Sequence, residues 1–329
     1  MAALLLAACS SAMAAPPSNA GSTASPDRAS GSATFAPSPV IGTPAPLATG
    51  GAGGSIPPTG TSVPSAPPAT GSPSPTASRI PVPVPVPVRP PPLPATPPPP
   101  SFALRVPILM YHRVAPASQI GRSLPSLVVD PGVFAAQVAA LDRAGWHTIT
   151  AADLAVDLAM GRRPPARTVV ITFDDGYEDG YTFALPILRQ HRFVATYFVV
   201  TGRFGEPGKL TRAEVRTLAS AGMEVSDHTV RHLDLVALSP VAQAFEIRVA
   251  AATITGLIGS MPVTFAYPFG DLDQTTVDLV RAAGFWMAMT NHAGVLETWA
   301  NRLLVPRLEV GPGLDGPGLI ALLAPYRVP

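Results

Sequence analysis

This sequence has a single cysteine, no cluster of positive charge and, over its first third, few charges of either sign. Cys9 is the one cysteine among 329 residues, so an internal disulfide bond is excluded. The net charge is +1 and no lysine- or arginine-rich block occurs, which argues against nucleic acid as a partner because a basic stripe is the minimum signature of that class. The chain must therefore fold without covalent cross-links, and we expect no nucleic-acid partner.

Residues 10–104 are dominated by Ala, Pro, Ser, Thr and Gly and hold most of the 42 prolines. The charged residues before residue 105 are Asp27, Arg28, Arg79 and Arg89. Because large apolar side chains are scarce, this segment cannot bury enough surface to offset its conformational entropy, and it is predicted to be disordered. We interpret it as a spacer, flexible where Ser and Gly dominate and stiff where prolines run together, rather than as a ligand for a proline-binding domain.

The first nine residues form a short apolar run with small residues before Cys9. This run resembles a bacterial lipoprotein signal, which implies that Cys9 is lipidated and becomes the mature N-terminus. The run is too short to cross a bilayer as a helix. Cleavage near residues 12–14 is the alternative, and it would export the protein as well. We expect an exported protein, anchored by lipid to the bacterial cell membrane or envelope, with its folded domain tethered outside the bilayer.

Residues 105–329 carry nearly all the aromatic residues and alternate strand-like apolar runs with helical patterns. That alternation predicts βαβ units, a parallel sheet and, with seven or eight units, a distorted (β/α) barrel. The predicted strands are 106–111, 147–150, 168–173, 195–200, 223–226, 264–267, 286–290 and 304–310. The predicted helices include 133–144, 211–221 with a capping box from Thr211 and Glu214, and 272–283 with Asp271 as its N-cap.

Polar side chains suited to catalysis follow four of these strands. Asp-Asp-Gly at residues 174–176 follows one strand, and His-Thr-Val-Arg-His at 228–232 follows another. Tyr-Pro-Phe-Gly at 267–270 follows a third strand, and His112 follows the first. Because the carboxyl ends of parallel strands form one rim of a barrel, where active sites are found, these groups are predicted to meet.

Metal-assisted hydrolysis is the chemistry that suits this set. His228 and His232 can present two imidazole nitrogens to one ion, and a carboxylate completes the set while a position stays open for water. Of Asp174 and Asp175, one can serve as ligand and the other as general base. Alone, Asp-Asp-Gly is usually a turn and a His pair four residues apart usually occupies a solvated helix face. A non-haem iron site for an oxygenase is the weakest alternative, because of the extra aspartate.

Three segments carry a resemblance to a known family. Residues 172–177 and 228–232 resemble the first two motifs of the NodB-like polysaccharide deacetylases, and residues 265–270 resemble the third. Residues 107–114 resemble the opening strand of the subgroup that includes the poly-N-acetylglucosamine deacetylases. The resemblance covers most of residues 105–311 and implies hydrolysis of an N-acetyl group on a sugar, releasing acetate and leaving an amine.

The resemblance also implies a role for each matching residue. Asp174 would be the general base, and Asp175, His228 and His232 would bind a divalent ion, commonly zinc. The backbone N–H of Tyr267 would help to hold the oxyanion. His112, at the end of the opening strand, would be the general acid that protonates the departing amine.

Two departures from the family pattern lead to further hypotheses. Ala266 stands where many relatives have an arginine that steadies the base, and Arg307, in the last predicted strand, could reach the same place. Asp227 stands where relatives often have serine, and it either tunes the metal through its ligands or is solvated. His292 is a fallback for the acid. Tyr177, Trp286 and Trp299 are candidates for stacking on sugars, although core packing is the commoner role of an aromatic residue.

Three functions remain open at this point. The first is a deacetylase acting on an N-acetylated cell-surface or cell-wall polysaccharide. The second is a related deacylase or amidase acting on a small molecule. The third is a catalytically inactive, lipid-anchored carbohydrate-binding barrel, which the intact set of one metal-binding aspartate, two histidines and one spare aspartate disfavours. In each case the domain 105–329 is expected to be monomeric.

Overall fold

A computed structural model of the protein describes residues 92–119 and 125–327. The predicted lipoprotein signal at residues 1–9 and the linker before residue 92 lie outside the described residues, so those two predictions stay predictions. Residues 92–104, which the sequence analysis places in the linker, do not behave as a free spacer. Leu93 and Phe102 pack against the hydrophobic core, and Leu104 is fully buried in it. The packed domain therefore begins before residue 105.

Seven parallel strands close into a barrel, which confirms the predicted fold. Within the described residues the strands, in chain order, are β1 (Ala103–Leu104), β2 (Ile108–Tyr111), β3 (Arg113–Val114), β4 (Val128–Val129), β5 (His147–Ile149), β6 (Thr168–Phe173), β7 (Thr196–Val199), β8 (Glu224–Asp227), β9 (Thr264–Ala266), β10 (Met287–Ala293), β11 (Glu297–Thr298) and β12 (Val305–Glu309). The barrel order is β2–β12–β10–β9–β8–β7–β6, and β6 pairs with β2 to close it. β5 pairs in parallel with the first residues of β6, 168–170.

Helices connect the strands, as a barrel of this kind requires. They are α1 (Pro131–Arg143), α2 (Ala151–Ala159), α3 (Leu185–Gln190), α4 (Arg212–Ser220), α5 (Pro240–Ile258), α6 (Gln274–Ala282) and α7 (Gly316–Leu323). α5 is long and apolar enough to cross a membrane by length and composition, but it packs against α4, α6 and β8.

Local capping sets where two of these helices begin. The predicted box of Thr211 and Glu214 is present at α4, each side chain accepting from the other residue's backbone N–H. Asp271 as the N-cap of the following helix is wrong. Asp273 caps α6 instead, because its carboxylate accepts the backbone N–H of Thr276. The helix therefore starts later than the sequence pattern suggested.

Candidate active site

The predicted site residues line one cavity at the carboxyl ends of the barrel strands. Its volume is about 270 Å³. Among its lining residues are all of the predicted ones: His112, Asp174, Asp175, His228, His232, Tyr267 and Arg307. The topology explains this meeting, because β2, β6, β8, β9 and β12 run parallel and each delivers its following residues to the same rim.

Asp175 and the two histidines form a compact set of ligand atoms. Asp175 Oδ1 lies 3.1 Å from His232 Nε2 and 3.5 Å from His228 Nε2, and one ligand atom from each residue fits within 4.8 Å. His228 Nδ1 lies 2.7 Å from the carbonyl oxygen of Ala266, which can only accept a hydrogen bond. In the neutral ring, Nε2 of His228 therefore turns a lone pair toward a carboxylate oxygen. Two facing acceptors of this kind fit a divalent cation.

The electrostatics of this set favour metal-binding protonation states. Burial and the neighbouring His228 lower the pKa of His232 to about 4, so its imidazole is neutral near pH 7. Burial alone would raise the pKa of Asp175, but the electrostatic effect of His228 and His232 beside it outweighs burial and lowers that pKa. A carboxylate and a neutral imidazole are the forms that ligate a metal.

Left-handed backbone conformations place these ligands. Asp175, Thr229 and His232 have φ values of 72°, 69° and 56°, a region that residues with side chains rarely adopt. Such strain persists only where the surroundings enforce it, and it concentrates at functional sites. At Asp175 one contact on the backbone comes from the buried amine of Lys209, which donates to the Asp175 carbonyl oxygen at 3.0 Å.

Asp174 is the second carboxylate, and Arg307 binds it through two parallel hydrogen bonds. Arg307 Nη1 and Nη2 lie 2.8 and 2.7 Å from the two oxygens of Asp174, and both side chains are buried. Arg307 also donates to Thr172 Oγ1 at 3.1 Å and to the Thr290 carbonyl at 2.9 Å. Burial would raise the pKa of Asp174, but the Arg307 guanidinium more than compensates and lowers it, so Asp174 is ionised. Arg307 thus reaches the position that the sequence hypothesis gave it.

Tyr267 does not supply a free backbone donor, so that prediction is wrong. Its N–H donates to the carbonyl oxygen of Met289 at 3.1 Å, as part of the sheet between β9 and β10, and its hydroxyl donates to Leu303 O. Phe269, two residues later, also lines the cavity. Outside the helices and strands of residues 92–119 and 125–327, no backbone hydrogen bond uses its N–H. The sequence signal that could have found it is the Tyr-Pro-Phe-Gly turn itself.

Phe269 is also the aromatic side chain that the cavity presents to solvent. It is 55 % exposed, its φ is 61°, and its ring centroid lies 4.5 Å from that of His232. The side-chain amide of Asn291 donates to the Phe269 carbonyl at 2.6 Å and fixes the turn. Gly270 follows with φ 75°, where an added Cβ would collide with the side chain of Asn291. The turn therefore requires glycine at 270.

The aromatic residues proposed from sequence are occupied elsewhere. The Tyr177 ring has the Lys209 amine 3.3 Å and the Arg113 guanidinium 4.8 Å from its centroid. Trp286 is buried in the core, and Trp299 packs at its edge. None of the three is among the cavity-lining residues that the structure describes.

Two further sequence hypotheses are decided by burial and position. Asp227 is fully buried, so the solvated alternative is wrong. Its Oδ1 accepts the N–H of Thr229 at 2.8 Å, and burial raises its pKa well above the ordinary value. His292 is exposed and is not among the described cavity-lining residues, whereas His112 is. His112 is thus the better-placed acid of the two.

Comparisons with known proteins agree with this geometry. The family model "Polysaccharide deacetylase" matches residues 161–288. The polysaccharide-deacetylase-family protein YxkH of Bacillus subtilis is 28 % identical over 212 residues, which cover 64 % of this chain and 74 % of that protein. The poly-β-1,6-N-acetyl-D-glucosamine N-deacetylase of Staphylococcus aureus is 24 % identical over 160 residues, 44 % of this chain and 55 % of that enzyme.

A solved structure shares both fold and sequence with the chain. It is the Streptococcus pyogenes deacetylase PplD in complex with acetate, with a TM-score of 0.63 and 27 % identity, covering 71 % of this chain and all of that one. The family match spans the Asp174–Asp175 pair and both histidines, and the structural match spans the barrel. Over this domain the chain is therefore similar in sequence and in fold to the polysaccharide deacetylases, and these relatives support a hydrolase acting on carbon–nitrogen bonds other than peptide bonds.

Proposed function

We propose that this protein removes N-acetyl groups from an extracellular or cell-wall polysaccharide of N-acetylated sugars, with a zinc ion at Asp175, His228 and His232. The substrate class follows from the staphylococcal relative, whose name gives poly-β-1,6-N-acetyl-D-glucosamine as its substrate. The acetate in the streptococcal structure is the other expected product. The single observation that carries the proposal is an ionised, arginine-bound carboxylate beside a second carboxylate that faces two imidazoles.

In this proposal the chain's own groups divide the work of hydrolysis. When bound, a divalent cation supplies Lewis acidity, which lowers the pKa of water and polarises a carbonyl group. Asp174 accepts the proton of the attacking water, and Arg307 keeps Asp174 ionised so that it is ready to do so.

The remaining steps need an oxyanion donor and an acid. We assign the first role to the backbone N–H of Phe269, which lies in a turn that lines the cavity and which no backbone hydrogen bond uses outside the described helices and strands. His112 then gives a proton to the sugar nitrogen as the carbon–nitrogen bond breaks, so that acetate and a free amine leave. The exposed ring of Phe269 gives a sugar an apolar face to pack on at the cavity rim.

Acetate release tests the proposal. The purified full-length protein is incubated with poly-N-acetylglucosamine, chitooligosaccharide and peptidoglycan, with and without a chelator. We expect acetate from at least one polymer, none after chelation, and recovery when zinc is added. His232→Ala should abolish acetate release, whereas His292→Ala, the same change outside the described cavity lining, should preserve it.

Two outcomes would contradict the proposal. Acetate release that resists complete removal of metal would exclude the assigned ligands. Acetate from a free N-acetylated monosaccharide or another small amide, with none from any polymer, would favour the small-molecule deacylase instead.

We further propose that the protein is exported and tethered to the cell envelope through lipidated Cys9, with residues 10–91 as the spacer. The small residues before Cys9 support this. Radiolabelled fatty acid should be incorporated into the wild-type protein but not into Cys9→Ser, and Cys9→Ser should leave the membrane fraction. Equal labelling of the two proteins would contradict the anchor.

A further inference from the structure

The loop 228–232 carries both histidine ligands in an unusual backbone shape. Thr229 and His232 both have positive φ values, 69° and 56°, although neither is glycine. Such a shape persists only where contacts outweigh the strain. The contacts that hold this loop therefore set the distance and orientation between the two imidazoles.

Every backbone N–H from Thr229 to His232 has a specific partner. Thr229 N donates to Asp227 Oδ1 at 2.8 Å, and His232 N donates to Thr229 Oγ1 at 3.0 Å. The two between them, Val230 N and Arg231 N, both donate to Glu246 Oε2, at 3.1 and 2.8 Å. The N–H groups at the two ends of the loop are thus held by Asp227 and Thr229, and the two in the middle are held by Glu246. The backbone N–H groups of Thr201 and Gly202 hold the carbonyl oxygens of Thr229 and Val230.

Glu246 comes from α5 and is fully buried. Its other oxygen, Oε1, accepts Arg231 Nε at 2.6 Å, and the Arg231 side chain is 56 % exposed. α5 already buries apolar side chains such as Ile247 and Ile254 against its neighbours. A buried carboxylate is not required for that docking, and burying one is unfavourable unless hydrogen bonds satisfy it. Here the loop that bears the ligands supplies all three of those bonds.

We infer that Glu246 is a positioning residue of the metal site. It touches neither ligand side chain but fixes the residues between them, so that His228 and His232 face Asp175 together. This inference rests on the proposed function, because it concerns the affinity of the same site for its ion. Residues that orient metal ligands without binding the ion typically contribute about 10- to 100-fold to metal affinity.

Glu246→Gln tests the inference with almost no change in volume. Either the amide nitrogen faces the two backbone N–H groups, or it faces Arg231, and in both orientations a donor meets a donor. We expect zinc affinity, measured on the metal-free protein by competition with a chromophoric chelator, to fall by about 10- to 100-fold.

Glu206→Gln is the matched control. Glu206 is half exposed and pairs with Arg203 on the surface, so the same chemical change should leave zinc affinity unchanged. Arg231→Ala removes one of the three bonds to Glu246 and keeps the two from the backbone. We expect it to weaken zinc binding by less than Glu246→Gln does.

The outcomes separate this inference from the proposed function. A wild-type protein that binds no zinc would overturn the proposed function itself. A wild-type protein that binds zinc, together with a folded Glu246→Gln variant of equal affinity, would overturn the positioning role alone. If Glu246→Gln does not fold, Arg231→Ala decides, and unchanged zinc affinity in that variant would likewise overturn the role.

Discussion

Replacing Arg307 with methionine should impair both stability and catalysis, and the size of the effect follows from its contacts. The change removes two bonds to Asp174 and leaves that carboxylate buried without its cation. Breaking a buried ion pair from one side typically costs about 3–5 kcal/mol of unfolding free energy. Part of that loss should disappear in Asp174→Asn/Arg307→Met, because the double variant leaves no unpaired charge.

The effect of Arg307→Met should also depend on pH. In the wild-type protein the pKa of Asp174 is lowered, so its stabilisation is present above the pKa of the unfolded chain and is lost as pH falls through the folded value. Without Arg307, burial raises the pKa of Asp174, so the destabilisation should be largest near neutral pH and should shrink as the medium becomes acidic. For the same reason the acidic limb of the kcat/KM profile should move to higher pH.

Urea unfolding at several pH values and a pH–rate profile for acetate release measure these effects. Arg302→Met is the matched control, because the Arg302 guanidinium donates a hydrogen bond to the backbone carbonyl oxygen of Trp299. This variant should leave the acidic limb of the kcat/KM profile in place. Arg307→Met with wild-type turnover, or with a stability loss that is the same at every pH, would refute the reasoning.

Three further predictions concern a buried acid and the cavity rim. Burial raises the pKa of Glu297 from 4.5 to about 8, so between these pH values the folded protein keeps a proton that the unfolded chain releases. The free energy of unfolding should therefore fall as pH rises through this range. Glu297→Gln should flatten this pH dependence in thermal unfolding, and parallel curves of stability against pH for the two proteins would contradict the prediction. Gly270→Ala should abolish acetate release, because the new methyl group collides with the Asn291 side chain. Adding Asn291→Ala should restore part of the activity. Equal loss of activity in the single and double variants would show that the positive φ of residue 270 alone causes the defect. Phe269→Ala should raise KM for an oligosaccharide about 5- to 10-fold with little change in kcat, because it removes one aromatic contact worth roughly 1 kcal/mol. A KM equal to that of the wild type would show that the ring does not bind the sugar.

The positions of Asp175, His228 and His232 could be predicted because they follow from strand order. Residues after parallel strands reach the same rim whatever the details of packing. Arg307 was predictable for a related reason, because it lies within β12, which runs parallel to the other barrel strands. The capping box at Thr211 was predictable for a similar reason, since it is local in sequence.

The wrong or missing predictions depend on contacts between distant segments. Whether the N–H of Tyr267 is free is decided by its register against Met289, which the sequence does not encode locally. Phe269 was overlooked because its exposure depends on a turn that Asn291 fixes from another strand. Glu246 looks like an ordinary helical glutamate until α5 is packed beneath the histidine loop.

The order of the barrel strands along the chain determines when during synthesis the enzyme can become active. All three ligands of the candidate metal site have been synthesised by residue 232. The Arg307 guanidinium that pairs with Asp174 is made only with β12, which also pairs with the first barrel strand, β2. A nascent or truncated polypeptide ending before that strand would hold a carboxylate without its counter-charge at the mouth of an open ring. Hydrolytic activity should therefore appear only in polypeptides long enough to include β12, and it should not grow in proportion to the length translated.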